Sequence, residues 1–148
     1  MVQFSRFENT DPDAIIIIFN NIINRQLQFT DKEEFCDSLY QRLITQISDK
    51  ETIKEINFSY NMQMSYRYVN SDKVEKYVAK ALEIKGNHHD ANTIMETHLS
   101  KKLSGISSNY ALLDTISQLE KRYNYEAITA LLKEHKLIAY LKIASDHF

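Results

Sequence analysis

Histidines beside a carboxylate are residue types that bind metals or move protons, and the sequence sets His88, His89 and Asp90 side by side with His98 further along. A metal site needs ligands that converge, as histidines at i and i+4 do on one helical face. His88 and His89 are adjacent and point apart, while His98 stands nine residues after His89 and out of phase with it. The spacing therefore predicts no metal site, but a polar turn capped by Asp90 with His98 on a packing face. Cys36 is the one cysteine. It has no histidine close in sequence and lies beside an apolar stripe, which reads as a buried structural thiol rather than a nucleophile. Gly86 and Gly105, the two glycines, are too few for a phosphate-cradling loop. The acidic cluster Asp31, Glu33, Glu34 and Asp37 suits a helix N-terminus, where carboxylates complement the macrodipole. The tyrosine-rich stretch FSYNMQMSYRY (58–68) has residue types that favour interfaces, although core packing accounts for them first. No catalytic residue, metal or cofactor is expected, and the chain reads as a non-enzyme.

Composition says what kind of scaffold carries these residues. The chain has 148 residues, 43% hydrophobic and 26% charged, with two glycines and one proline. One domain spanning 1–148 with a sizeable core fits that length, and so few backbone breakers predict long helices and short turns. Eighteen basic against twenty acidic residues leave a net charge of −2, which argues against general attraction to nucleic acid. A lone cysteine and the absence of an apolar, basic-flanked leader in 1–9 point to a cytoplasmic protein. The run Ile15 to Phe19 is too short for a membrane span of about 20 apolar residues, and reads as a buried helix.

Along the chain, Asp11 is a helix cap with Pro12 in the first helical position, where a missing amide costs nothing. The helix from Ala14 to about Leu27 is apolar on more than one face, through Ile15, Ile18 and Ile22 and through Ile16, Phe19 and Ile23. It should be central or covered by a partner. Thr30 with Glu33 and Ser48 with Glu51 read as capping boxes. The first opens a helix presenting Phe35, Leu39, Leu43 and Ile47. Between Ile53 and Val69 two periods compete. Strict alternation of Phe58, Tyr60, Met62, Met64, Tyr66 and Tyr68 with polar residues suggests a strand, whereas Ile53, Ile56, Tyr60 and Met64 form a helical stripe. Helix is preferred, because a strand would have no partner unless residues 2–7 supplied one.

Val74, Tyr77, Val78, Ala81 and Leu82 then form one stripe, with Asn70, Ser71 and Asp72 as cap candidates and Gly86 as a left-handed stop. The next helix, Asp90 to Leu103, buries Ala91, Ile94, Met95, His98 and Leu99 and breaks at Gly105. Ser107 or Ser108 caps a helix to Tyr123 that carries Leu112, Leu113, Ile116 and Leu119. The last, Glu126 to about Ile143, carries Ala127, Leu131, Leu132, Leu137, Ile138 and Leu141. The whole is all-α, with about seven antiparallel helices joined by short loops.

The segment KALEIKGNHHDA (80–91) resembles the junction of two tetratricopeptide (TPR) repeats, helix–turn–helix units of about 34 residues. In that register Val74 and Ala81 match the small residues of a second helix, and Gly86 replaces the usual proline. RYNYEAITALLKEH (122–135) is a weaker echo. There is no tryptophan, and Met62 stands where the family has glycine, so the repeats are degenerate over 53–148. The resemblance implies a right-handed α-superhelix (solenoid) that binds a protein or peptide along the first helix of each pair. It points to Asp90, Thr93, Thr97, Ser100 and Lys101, which helical periodicity also leaves off the apolar stripe. The alternative is a structural module of a larger protein that self-associates, a homodimer joined through the apolar excess of Ile15 to Ile23.

Overall fold

With glycine and proline nearly absent, the backbone has few places to stop, and the computed structural model is helical throughout. It describes residues 11–29 and 32–147, with the backbone alone at Pro12 and Phe29. Among these residues there are seven α-helices and no strand: α1 (Pro12–Phe29), α2 (Glu33–Thr45), α3 (Lys50–Arg67), α4 (Val74–Ile84), α5 (His89–Ser104), α6 (Asn109–Arg122) and α7 (Glu126–Ser145). Contacts divide the chain within α3 into two compact units, one ending at Met64 and the other beginning at Ser65.

In the first unit Asp11 caps α1 as expected, its carboxylate accepting the Asp13 amide at 3.1 Å. Ile15, Phe19, Ile23 and Leu27 recur one turn apart and are buried. Of the two faces expected, Phe19 and Ile23 of one are buried with Ile16 half-buried, whereas the other keeps only Ile15 inside, with Ile22 half-buried and Ile18 exposed; Ile17 is exposed as well. In α2 the buried stripe is Cys36, Leu39 and Leu43, continued by Ile47 beyond the helix, and Phe35 is exposed instead of leading the stripe. The compact thiol takes the inward position, and the Phe35 ring lies outside with the Lys32 ammonium 6.0 Å from its centroid. Lys32 is the N-cap residue and makes no side-chain cap bond; the expected Thr30 cap lies outside the described residues. At α3 the cap is Asp49, not Ser48, because Asp49 accepts both the Thr52 amide (3.0 Å) and the Thr52 hydroxyl (2.5 Å).

Helix α3 settles the competition between periods. Ile56, Tyr60 and Met64 are buried at helical spacing, but so are Thr52, Phe58, Asn61, Met62 and Ser65. A helix buried around most of its circumference carries apolar residues at many phases, and here they happened to alternate. Tyr60 stacks on Tyr40 with centroids 4.3 Å apart and donates its hydroxyl to Asp37.

In the second unit all five stripe residues of α4 are buried, Ala81 completely. Helix α4 packs on α5, and α7 packs on both α5 and α6. The chain enters α4 through a turn, not a side-chain cap: Lys73 is the N-cap, and the Ser71 hydroxyl accepts the Lys73 amide at 3.2 Å. No described glycine has positive φ, so Gly86 is not a left-handed stop. Its role is close approach, since a Cβ there would meet Cδ1 of Tyr125 at 3.3 Å. Helix α5 is capped by His88, whose Nδ1 accepts the Ala91 amide at 3.4 Å, rather than by Asp90. Ser108 caps α6 as expected, accepting the Ala111 amide. In α7 Ile128, Leu132 and Ala139 are buried, whereas Leu137, Ile138 and Leu141 face solvent instead of the core. No described helix is long and apolar enough to cross a membrane.

Candidate functional site

Glu75, in the first turn of α4, meets His98 and Lys102 near the end of α5, so these two helices run antiparallel and their ends form one wall. Beside it, Tyr68 is buried and stacks on Tyr77 with centroids 6.0 Å apart. The Ser71 amide bonds to the Tyr68 carbonyl at 2.9 Å, and the Val74 amide to the Ser71 carbonyl at 3.1 Å. A buried ring at one end and a helix start at the other hold this turn in place. A cleft of about 380 Å³ lies between the turn and α5, lined by Val69, Asn70, Ser71 and Asp72 on one side and by Ile94, Thr97, His98, Lys101 and Lys102 on the other.

Four donors converge on Glu75. Oε2 accepts from Tyr123 Oη at 2.8 Å and from Arg122 Nη1 at 3.0 Å. Oε1 takes His98 Nε2 at 3.1 Å and Lys102 Nζ at 3.2 Å. An ionised carboxylate only accepts, which assigns the shared proton to His98 Nε2. Side-chain exposure is 14% for Glu75 and 11% for His98, against 43% for Lys102 and 54% for Arg122. Burial raises the carboxyl's pKa, but the bonds from Tyr123, His98 and Lys102 outweigh it and hold Glu75 below its ordinary value. Burial first, then the bond to Glu75, pushes the Tyr123 phenol up to about 12. A carboxylate with both oxygens doubly engaged and a depressed pKa is poorly suited to act as a general base near neutral pH. Its work is to tie the start of α4 to α5 and to the end of α6.

The five residues expected at a binding face all lie on α5, and the structure brings two of them into the cleft. Thr97 and Lys101 line it. Asp90 stands at the other end of the helix, where its Oδ2 accepts the Tyr66 hydroxyl at 3.2 Å. Thr93 turns its hydroxyl back to the His89 carbonyl at 2.9 Å, a local bond. Ser100 is half-buried, and its carbonyl accepts the Ser104 hydroxyl. Lys101 makes no ion pair among the described residues, whereas Lys102 is engaged by Glu75. Among the described residues no three histidine, cysteine or acidic side chains come together closely enough to hold a metal ion.

Comparison with protein-family models, curated proteins and solved structures finds no significant match. The site therefore rests on its own geometry. The sequence pattern points to none of Glu75, Lys102, Arg122 and Tyr123 as site residues, and it gives His98 only a place on a packing face. Glu75 meets its partners across 23 to 48 residues of chain, beyond any helical period. The one local sign is His98 and Lys102 at i and i+4, which places them on a single face of α5.

Proposed function

We propose that the chain is a non-enzymatic binding module whose α4–α5 cleft receives a carboxylate-bearing peptide segment of a partner protein. One observation carries the reading: the Lys101 ammonium, without an ion pair among the described residues, lines a cleft that also offers hydrogen-bonding and apolar groups. Asn70, Ser71 and Thr97 supply donors and acceptors for a peptide backbone, and Val69 and Ile94 supply apolar contact. The volume, about 380 Å³, is within the range of roughly 300–1,000 Å³ of ligand clefts. The Glu75 cluster supports the same reading by holding both walls at a defined separation, which lowers the ordering cost of binding. Degenerate TPR-type repeats belong with this proposal, since stacked helix pairs of that type present such surfaces. A cytoplasmic setting suits a chain whose single cysteine is a buried thiol.

The test is selection of peptides from a random display library on the immobilised full chain, followed by calorimetry on the enriched sequences. Acidic side chains or a free carboxy terminus should be enriched. Lys101→Glu should bind them about tenfold more weakly, roughly 1.4 kcal/mol, while melting like the parent chain. Enrichment of basic peptides, or unchanged affinity in Lys101→Glu, contradicts the proposal.

A further inference from the structure

Helix α7 carries a second apolar stripe that the fold of its own unit does not use. Leu137, Ile138 and Leu141 are 59%, 43% and 60% exposed, and Tyr140 beside them is 53% exposed. Ile138 and Leu141 also border a shallow depression with Lys142 and Ser145. Leu137, Ile138 and Leu141 share one helical face, and with Tyr140 they expose on the order of a few hundred Å², the size of the largest apolar patch on a monomer, which is often functional. The exposed pair Ile17 and Ile18 on α1 does not continue in this way, because exposed Asn21 and Arg25 follow Ile17 at one and two turns along the helix.

Charge identifies the occupant. One turn before Ile138 stands Glu134, and one turn after it stands Lys142, both exposed and neither in an ion pair among the described residues. We propose that this face of α7 is a homodimer interface, in which two copies of the helix pack antiparallel about a two-fold axis near Ile138. That symmetry sets Glu134 of each copy opposite Lys142 of the other, and it brings the Leu137–Leu141 stripes together. A parallel pair would instead set Glu134 beside Glu134 and Lys142 beside Lys142. An isologous interface must be self-complementary, and the antiparallel arrangement is so in charge. The patch is small: two copies bury roughly 1,000 Å², near the lower bound for a specific interface, so the dimer is a weak and reversible one. This surface is separate in residues from the α4–α5 cleft, and the proposal stands or falls independently of peptide binding.

The experiment is sedimentation velocity on the full chain from micromolar to near-millimolar concentration. A reversible monomer–dimer equilibrium is expected. Ile138→Glu sets a carboxylate against its own symmetry mate and should leave a monomer at every concentration, with an unchanged circular dichroism spectrum because the position is exposed. Glu134→Lys should weaken the dimer about tenfold or more, and Glu134→Lys combined with Lys142→Glu should return it to within about threefold of the parent, the reversed pairs being equivalent. A parent chain that stays monomeric throughout overturns the proposal. So does a dimer indifferent to Ile138→Glu, or a double variant as weak as the single one.

Discussion

Replacing Glu75 should weaken the fold more than any change at an exposed charge, and burial sets the size of the effect. The Tyr123 and His98 bonds run to a carboxylate only 14% exposed, from a phenol and an imidazole that are themselves largely covered. Hydrogen bonds to charged groups contribute about 1.5–3 kcal/mol each, and a covered donor left unsatisfied costs about 1–3. The Lys102 and Arg122 contacts, at 43% and 54% exposure, contribute about 0–1 kcal/mol each and are screened by salt. Removing the carboxylate also recovers the cost of having desolvated it, which offsets part of the loss. On balance Glu75→Ala should cost about 3 kcal/mol. Glu75→Gln should cost about half that, since an amide oxygen still accepts the Tyr123 hydroxyl but lacks the charge. Urea denaturation followed by circular dichroism reads these values directly, and a constant slope confirms that the same surface unfolds. Double-mutant cycles should then couple Glu75 to Tyr123→Phe by more than about 1 kcal/mol and to Lys102→Met by no more than about 0.5. A Glu75→Ala chain within about 0.5 kcal/mol of the parent, or stronger coupling to Lys102 than to Tyr123, refutes the reasoning. The pH dependence has a definite sign. Because the folded carboxyl titrates below its ordinary 4.5, its contribution is present above that value and is lost as pH falls through the lowered one.

Other outcomes follow from single observations. Asp49→Ala should lower the melting temperature through the lost cap at Thr52, and Ser48→Ala should leave it nearly unchanged; thermal melts of the pair distinguish them. Ala81→Arg should cost about 3 kcal/mol or more or abolish folding, because overpacking and an unpaired buried charge act together where Ala81 is fully covered, as denaturant titration or loss of soluble protein will show. Tyr123 titrates near 12 in the fold against 10.0 for a free phenol, so its contribution is complete below about 10 and falls as pH rises toward 12. Alkaline melts of Tyr123→Phe should show a shallower loss of stability than the parent across that window.

How much was legible depended on the range of the interaction. Stripes repeat within a few residues, so the α4 set from Val74 to Leu82 was readable down to each residue. The Phe58–Tyr68 stretch was readable as helix only by weighing what a lone strand would lack. Caps were legible as places rather than as atoms: Asp49 stands beside Ser48 and His88 beside Asp90, and only geometry decides which side chain reaches the free amide. Gly86 reads from sequence as a left-handed stop, and its actual role in close approach is not legible there, because the Tyr125 ring that crowds it arrives from far along the chain. In α7 an apolar stripe and a core stripe look alike in sequence, and only packing shows that Leu137 to Leu141 is not the buried one. The candidate site was half legible. Thr97 and Lys101 come from the TPR resemblance, helical phase adding only that they lie off the apolar stripe of α5, whereas the cluster at Glu75 depends on three helices meeting.

The most direct test of the binding account is a two-dimensional amide NMR titration of the full chain with an acidic peptide pool, set against the same pool with its carboxylates amidated. The account predicts shifts concentrated at Asn70, Ser71, Thr97, Lys101 and Lys102 with the acidic pool, much smaller ones with the amidated pool, and their loss in Lys101→Glu. Shifts that centre elsewhere, or that are the same with both pools, would contradict it.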